Sequence, residues 1–192
     1  MARTRRRRIA RGGQMLRVAD PDWADPLDVA YSMSAGGRWN PPGRFGVLYL
    51  NATIEVARAN VDRLFVGLPY GPEDLDPAAA PVLVSVDVVV DDYLDAVSNE
   101  GLSALGLPAT YPLDASGGVL PHCQCQPVGQ GAFDDGELGI ACRSAAAGAR
   151  GEGLAWFAQV GRPMPRKVRT SVFDEWYWPS GVLPDAFTAE PG

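Results

Sequence analysis

The sequence predicts a single α+β domain with a mixed or antiparallel sheet, and three observations lead to that prediction. The chain has 192 residues, about one domain at roughly 100–200 residues per domain. Hydrophobic residues make up 46% of it, which is enough for a substantial core. Short β-branched or apolar runs recur along the chain with few helical segments between them, a pattern that is typical of α+β folds.

The first half of the chain contains the clearest helix signal. The Thr53 hydroxyl can accept a hydrogen bond from the free amides of a first helical turn. Apolar residues then recur at helical spacing, with Asn60 at the edge of their face: Ile54, Ala57, Val61 and Leu64. The elements predicted for this half are a flexible arm at 1–14, a strand at 15–18, a loop at 19–34, a turn-rich segment at 36–43, a strand at 47–50 and a helix at 53–66.

The second half is predicted to consist mainly of strands joined by loops. The run PVLVSVDVVV at 81–90 is the strongest strand signal, because it is β-branched and long enough to cross a core. Three aromatic residues near the end are expected to close the core, with a stacking surface for a ligand ring as the alternative: Trp176, Tyr177 and Trp178. The other predicted elements are loops at 67–80 and 99–121, a short helix at 123–133, strands at 139–142, 154–159 and 168–178, and a tail at 181–192, which together place the domain at 15–180.

Charge is distributed unevenly along the chain. The net charge is −6, yet residues 1–11 hold six arginines and no acid, which leaves 11 basic and 23 acidic residues, a net of −12, in residues 12–192. An acidic body argues against a groove that follows nucleic-acid phosphates, although a few placed arginines can still hold a small anion. For the arginine-rich segment we favour a silent solvated tail. Binding to nucleic acid or an acidic partner, and a start assigned too far upstream, are the alternatives.

The cysteines and the single histidine limit the chemistry that the chain can perform. Cys123, Cys125 and Cys142 fit neither a disulfide framework nor the usual spacing of a zinc site. A nucleophilic pair of His122 with a neighbouring cysteine, or zinc binding by these four residues, is weighed against a helix start with small buried thiols. The acid pairs at 91–92 and 134–135 are expected in solvated turns, and no metal site is predicted. No secretory signal or membrane-spanning run is present, so a cytoplasmic location is expected.

The segment GGRWNPPG at 36–43 is the strongest functional signal. Gly37 lets the backbone turn tightly or approach a ligand. Arg38 can place two N–H donors on a phosphate, Trp39 offers a flat ring, and Asn40 offers a donor and an acceptor. An ordinary loop with a buried tryptophan is the competing interpretation of these residues alone.

Together with its surroundings, this segment resembles the RES domain family. The similarity rests on GGRWN, on Arg17 in MLRV, on the apolar strand that carries Tyr49, and on the helix ATIEVARAN. A CQ pair at 125–126, followed by a helix and a strand that ends near Ser144, extends the similarity over about residues 15–178. The resemblance implies a fold like that of ADP-ribosyltransferases. It also implies a bacterial toxin, paired with an antitoxin, that degrades NAD+ chiefly by phosphorolysis.

The resemblance also assigns candidate roles to individual residues. Arg17 and Arg38 would hold phosphates, Tyr49 would position the ribose–nicotinamide part, and Asn60 would bind the ribose hydroxyls. NAD+ is then a substrate or ligand rather than a cofactor, with inorganic phosphate as a co-substrate. The remaining candidates are binding residues: Gly37, Trp39, Asn40, Cys123 and Ser144.

Two of these positions depart from the family pattern. The family has a glutamate eleven residues after the tyrosine, where this chain has Asn60, and a serine where it has Cys123. Glu55 cannot replace the missing carboxylate, because five helical residues rotate a side chain by about 140° net. An amide is uncharged and cannot act as a base, so Asn60 should preserve NAD+ binding better than turnover. Substituting Asn60→Glu is therefore expected to raise turnover.

Two functions stay open on this evidence. The first is a RES-like NAD+-binding domain that cleaves NAD+ weakly, as a phosphorylase, a glycohydrolase or an ADP-ribosyltransferase-like enzyme. The second is a catalytically inactive RES-like module that binds a protein partner. The acceptor (phosphate, water or a protein) is left open, as are a cognate antitoxin and a homodimer, whereas nucleic acid and membrane are not expected as partners.

Overall fold

A six-stranded mixed sheet forms the centre of the domain. The computed structural model describes residues 6–178, without the side chains of residues 148 and 149. The parallel pair β3–β4 is accompanied by antiparallel pairs, which confirms the predicted α+β domain with a mixed sheet. The strands are β1 (Arg8–Ala19), β2 (Val47–Asn51), β3 (Val82–Ala96), β4 (Gly139–Ser144), β5 (Gly148–Phe157) and β6 (Arg166–Ser171).

The strand pairings close on themselves. The order is β1-β2-β5-β4-β3-β6, and β1 also pairs with β3 along most of its length, so the first five strands form a ring to which β6 is added. The contact between β1 and β2 is short, with Leu16 opposite Asn51 as its one register pair. That pair stands directly beside Arg17, so the ring is weakly paired at the point where a predicted site residue lies.

The helices are short and lie between the strands in sequence. Within residues 6–178 they are α1 (Ala30–Ala35), α2 (Ile54–Phe65), α3 (Asn99–Ala104), α4 (His122–Asp134) and α5 (Phe173–Trp176), with a 3₁₀ turn at Pro72–Asp74. The predicted cap of α2 is confirmed, because the Thr53 side chain accepts a hydrogen bond from the Val56 amide. In the described range, no helix is both long enough and apolar enough to cross a membrane.

The prediction of a flexible arm is wrong for residues 8–14, which belong to β1 and pair with β3. Mutual repulsion of the arginines does not keep this segment unfolded, because acidic residues of the body neutralise them. Each described arginine of the segment has a carboxylate partner: Arg6 with Asp135, Arg7 with Asp95, Arg8 with Glu137 and Arg11 with Glu152. Residues 1–5 and the predicted tail at 181–192 lie outside the described residues.

The predicted buried face of α2 needs one correction. Val56, Ala57 and Val61 are buried, but Leu64 is 65% exposed. The helical period was therefore right, but the last predicted turn extends beyond the core and does not pack against it.

The predicted strand at 168–178 is also corrected at its end. The strand finishes at Ser171, and a short helix follows, in which Asp174 and Glu175 occupy the first turn, where negative charge is favourable. Trp176 and Tyr177 are buried in the cluster that covers α2, so these aromatic residues do close the core.

A second apolar cluster joins the turn-rich segment at 36–43 to α4. It includes Trp39, Phe45, Tyr111, Cys125 and Phe157. The backbone of α4 comes so close to this segment that a Cβ at Gly129 would overlap the Trp39 carbonyl oxygen. This close packing fixes the segment that forms one wall of the candidate site.

Candidate functional site

A pocket of about 410 Å³ gathers most of the predicted site residues. It lies between β1, β2, α2, the turn at 36–39, the start of α4 and the end of β4. Seven of the nine candidates line it: Arg17, Gly37, Arg38, Trp39, Tyr49, Asn60 and Ser144. Asn40 and Cys123 do not line it.

Asn40 supports the pocket wall and does not face the ligand space. It is fully buried, and its Nδ2 donates to the carbonyl oxygens of Ser32 (2.6 Å) and Phe45 (3.0 Å). Its Oδ1 accepts the Tyr49 hydroxyl at 2.8 Å. Because both ends of the amide are occupied by protein groups, we assign Asn40 a supporting role in place of the predicted binding role.

Tyr49 is held tightly by the same segment. Its Oη accepts from the Trp39 amide at 2.9 Å, and a Cβ at Gly37 would lie 2.5 Å from that oxygen. Only glycine therefore fits at position 37. Burial raises the pKa of Tyr49 above its ordinary value, so the hydroxyl stays protonated near neutral pH and can orient a ligand but cannot serve as a base.

The CQ pair contributes to the site through Gln126. Its Nε2 donates to the Gly37 carbonyl oxygen at 3.0 Å and to that of Asn40 at 3.4 Å. The glutamine thus ties α4 to the turn that carries Arg38.

Two predicted arginines bring positive charge into the pocket. Arg17 is 7% exposed, and its Nε has no hydrogen-bond partner within residues 6–178. One Nη of Arg38 donates to the Leu120 carbonyl oxygen at 2.8 Å. Neither guanidinium makes an ion pair in the described part of the chain. Burial lowers the pKa of Arg17, and the nearby Asp25 and Asp28 oppose that shift. A buried donor without a partner is well placed to receive an anion.

The pocket is also lined by two arginines that the sequence analysis did not single out. Arg63 on α2 is exposed, and the described residues contain no hydrogen bond or ion pair to its guanidinium. Arg143 on β4 donates to backbone carbonyls and to Asn99, none of which carries a charge. Arg63 stands one helical turn after Asn60, and that spacing was a signal available from the sequence.

No aspartate or glutamate of the described residues lines this pocket. The chain as a whole carries 23 acids against 17 bases, so a cavity that arginines but no described carboxylates line is a marked local reversal of charge. Glu55 lies on the exposed side of α2 and outside the pocket, as the helical geometry predicted. The electrostatic environment favours an anionic ligand.

Asn60 contacts a second amide at the pocket wall. Its Nδ2 donates to Asn51 Oδ1 at 2.7 Å and to the Val56 carbonyl oxygen at 3.2 Å. Asn51 in turn donates from Nδ2 to the Leu16 carbonyl oxygen at 3.3 Å. Asn51 was not predicted as a site residue, because nothing in the local sequence pairs it with Asn60.

Ser144 shapes a turn at the end of β4. Its Oγ accepts from the amides of Ala146 (3.2 Å) and Ala147 (3.1 Å). The hydroxyl proton is still available to donate to a ligand oxygen.

The Cys–His alternative gains no support from the geometry. Cys123 is exposed and outside the pocket, whereas His122 lines it. Partial burial of the ring lowers the pKa of His122, although the residue as a whole is exposed, and the positive charges of Arg38 and Arg63 add to that effect. Burial raises the pKa of Cys142 to about 11, so this thiol is not activated. Residues 6–178 contain no cluster of side chains that could hold a metal ion.

The fold and the pocket define a class of protein: a single α+β domain whose mixed sheet carries an arginine-lined site suited to a phosphate-bearing ligand. The RES domain family matches residues 14–178, and the chain belongs to that family. Among solved structures, a chain of the crystal structure of the M. tuberculosis MbcT–MbcA toxin–antitoxin complex has a similar fold. The match has a TM-score of 0.71 and 24% identity, and it covers 88% of this chain and 91% of that chain. No curated protein matches the chain in sequence.

Proposed function

We propose that this RES domain binds NAD+ in the arginine-lined pocket and slowly cleaves the nicotinamide–ribose bond, with inorganic phosphate as the acceptor. The observation that carries the proposal is that three arginines, Arg17, Arg38 and Arg63, line a cavity to which no carboxylate of residues 6–178 contributes, in an otherwise acidic chain. The pyrophosphate of NAD+ and an attacking phosphate are anions that guanidinium groups bind well.

The proposed reaction is a displacement at the ribose carbon that bears nicotinamide. A phosphate oxygen forms the new bond to that carbon, while the carbon–nitrogen bond breaks and its electron pair neutralises the departing nicotinamide. Positive charge builds on the ribose during the step, and a carboxylate would stabilise it. Asn60 offers only an amide dipole, so turnover should be about 10²–10³ lower than with a well-placed carboxylate.

The first test measures NAD+ loss by the purified protein with and without inorganic phosphate, together with NAD+ binding by calorimetry. We expect measurable binding of NAD+ and a slow loss of NAD+ that requires phosphate.

Arg63→Gln should weaken NAD+ binding about tenfold without changing thermal stability, because this exposed side chain has no partner in the described chain but faces the pocket.

Arg44→Gln is the matched control, since Arg44 is exposed, contacts Gln130 and does not line the pocket. Equal binding by the two arginine variants would contradict the assignment of this pocket. If the wild-type protein neither binds nor consumes NAD+, the proposal fails in both its catalytic and its binding form.

A biological role as the toxin of a toxin–antitoxin pair is part of the proposal. It is supported by family membership and by the fold shared with a chain of the MbcT–MbcA complex. Induced expression should deplete cellular NAD+ and stop growth, and co-expression of a cognate antitoxin should restore both. Normal growth with undiminished NAD+ at high expression would count against a toxin.

A catalytically inactive module that binds a protein partner is the second candidate. The observation that favours it is that no carboxylate within residues 6–178 lines the pocket and Asn60 is already hydrogen-bonded to Asn51. Calorimetric binding of NAD+ without any loss, in either phosphate condition, would support this candidate over the enzyme.

A further inference from the structure

We propose that Asn51 is a positioning residue that orients the Asn60 amide, so that Asn60 presents only its carbonyl oxygen to the ligand. The two side chains, called here the amide pair, meet at the pocket wall with Asn60 Nδ2 2.7 Å from Asn51 Oδ1. The inference rests on the proposed function, in which Asn60 receives the ribose hydroxyls of NAD+.

Backbone carbonyl groups determine both amide orientations. A carbonyl oxygen can only accept, so Asn51 must direct Nδ2 toward Leu16 O, at 3.3 Å, and its Oδ1 toward Asn60. For the same reason Asn60 must direct Nδ2 toward Asn51 Oδ1 and toward Val56 O, at 3.2 Å. Turning either amide over would bring two oxygens together and leave polar groups unsatisfied. The Oδ1 of Asn60 therefore remains as the free acceptor.

The location of Asn51 suits this role. It is 9% exposed, so solvent has little access to replace its hydrogen bonds. It also faces Leu16 in the one register pair between β1 and β2, next to Arg17. The Leu16 carbonyl of β1 thus orients Asn51 at the end of β2, and Asn51 in turn orients the Asn60 amide on α2.

The orientation has consequences for what the site accepts. A ribose hydroxyl can donate to Asn60 Oδ1, whereas a group that only accepts cannot bind there. A carboxylate at position 60 would meet Asn51 Oδ1, and relieving that repulsion by turning Asn51 over would break its bond to Leu16. We therefore expect the rise in turnover predicted for Asn60→Glu to appear only when residue 51 also changes.

A double-mutant cycle tests the amide pair, with Asn51→Ser, Asn60→Asp, the double variant and the wild-type protein. The aspartate has the shape of asparagine, and the serine hydroxyl can donate to a carboxylate. We expect Asn60→Asp to lower the thermal midpoint by several degrees and NAD+ affinity about tenfold. In the Asn60→Asp background, Asn51→Ser should restore part of the thermal midpoint and part of the NAD+ affinity. In the wild-type background, the same substitution should lower both the midpoint and the affinity.

Asn60→Ala provides a second background in case the aspartate variant does not fold. In that background, Asn51→Ser should lower the thermal midpoint and the NAD+ affinity less than it does in the wild-type protein. A purely structural Asn51 would instead give the same loss in every background, and such additivity would overturn the inference even if NAD+ binds. The thermal measurements need no ligand. If the thermal midpoints showed coupling between residues 51 and 60 but the protein did not bind NAD+, the proposed function would be overturned. The role of Asn60 as an acceptor for ribose hydroxyls would be overturned with it.

Discussion

At the scale of single residues, the chemistry of the pocket depends on which polar atoms the protein already uses. Asn40 has its donor and its acceptor fully engaged, while Arg17 keeps a buried Nε and Arg63 a whole guanidinium without a partner in the described chain. The sequence alone shows only that all three residues are polar. Their hydrogen-bond partners separate those that hold the pocket together from those that can hold a ligand.

His122 should take up a proton when a phosphate-bearing ligand binds. Burial and the charges of Arg38 and Arg63 lower its pKa, so the ring is largely neutral at pH 7. An anion bound between these arginines would offset their repulsion and raise the pKa of His122 back toward its ordinary value. Proton uptake on binding means that affinity increases as the pH falls through the pKa of His122 in the bound state.

Calorimetry of NAD+ binding near pH 6.5, in two buffers of different ionisation enthalpy, measures this uptake. His122→Gln should bind NAD+ without it, which makes that variant the control. The assignment of His122 to the anion site would be wrong if the wild-type protein bound NAD+ with no proton uptake, or if the glutamine variant showed the same uptake.

At the scale of elements, the packing of α4 against the turn at 36–43 holds Arg38 and Tyr49 in place. Gln126 bonds to the Gly37 carbonyl, and Gly129 allows the helix backbone to contact Trp39. Two glycines in one helix are unfavourable by propensity, at about 0.5–1 kcal/mol each relative to alanine. For Gly129 the close contact explains why glycine is needed.

Gly129→Ala and Gly131→Ala should therefore have opposite effects. A Cβ at Gly131 meets only the end of the Arg6 side chain, at 3.3 Å, so alanine there should stabilise the protein by about 0.5–1 kcal/mol. At Gly129 the Cβ would overlap Trp39 O, and overpacking should destabilise by about 1–3 kcal/mol or more.

Urea unfolding compares the two variants directly, since each replaces a glycine of α4 by alanine. Only Gly129→Ala is also expected to weaken NAD+ binding, because it displaces the turn that carries Arg38. Similar unfolding midpoints for the two variants would show that α4 and the turn are not packed as described.

At the scale of the whole molecule, opposite charges from distant parts of the chain meet. The arginine-rich start and the acidic body looked like separate features in the sequence, but Arg8 and Glu137 form a two-point contact, with distances of 2.9 and 2.6 Å. Glu137 is 6% exposed, and its hydrogen bond raises the pKa of Arg8. The start of the chain thus contributes to the stability of the domain.

Arg8→Gln should lower the free energy of unfolding by about 1–3 kcal/mol, because it leaves a nearly buried carboxylate without its partner. Chemical denaturation measures the change, with Arg44→Gln as a control that alters net charge equally. Equal stability of the two at neutral pH would restore the interpretation of this segment as a dispensable arm.

Much of the site could be predicted from the sequence, because its signals are local. The turn at 36–43, the strand with Tyr49 and the helix that starts after Thr53 lie within about thirty residues. They placed Arg38, Tyr49 and Asn60 in one pocket together with the more distant Arg17. The resemblance to the RES domain family, on the same residues, agrees with the family assignment. Local periodicity and turn chemistry depend on neighbours a few residues apart, and these a sequence displays directly.

What only the tertiary structure decided concerns contacts between residues far apart in the chain. Arg8 pairs with Glu137, in a segment that was expected to be an arm and is a strand. Asn51 is hydrogen-bonded to Asn60, and that contact determines how the Asn60 amide is oriented. The sequence by itself determined that this is a RES-type domain, with an amide where the resemblance to that family implies a carboxylate. Which side of that amide faces the ligand depends on backbone carbonyls of β1 and α2, and their positions are set by folding rather than by any local pattern.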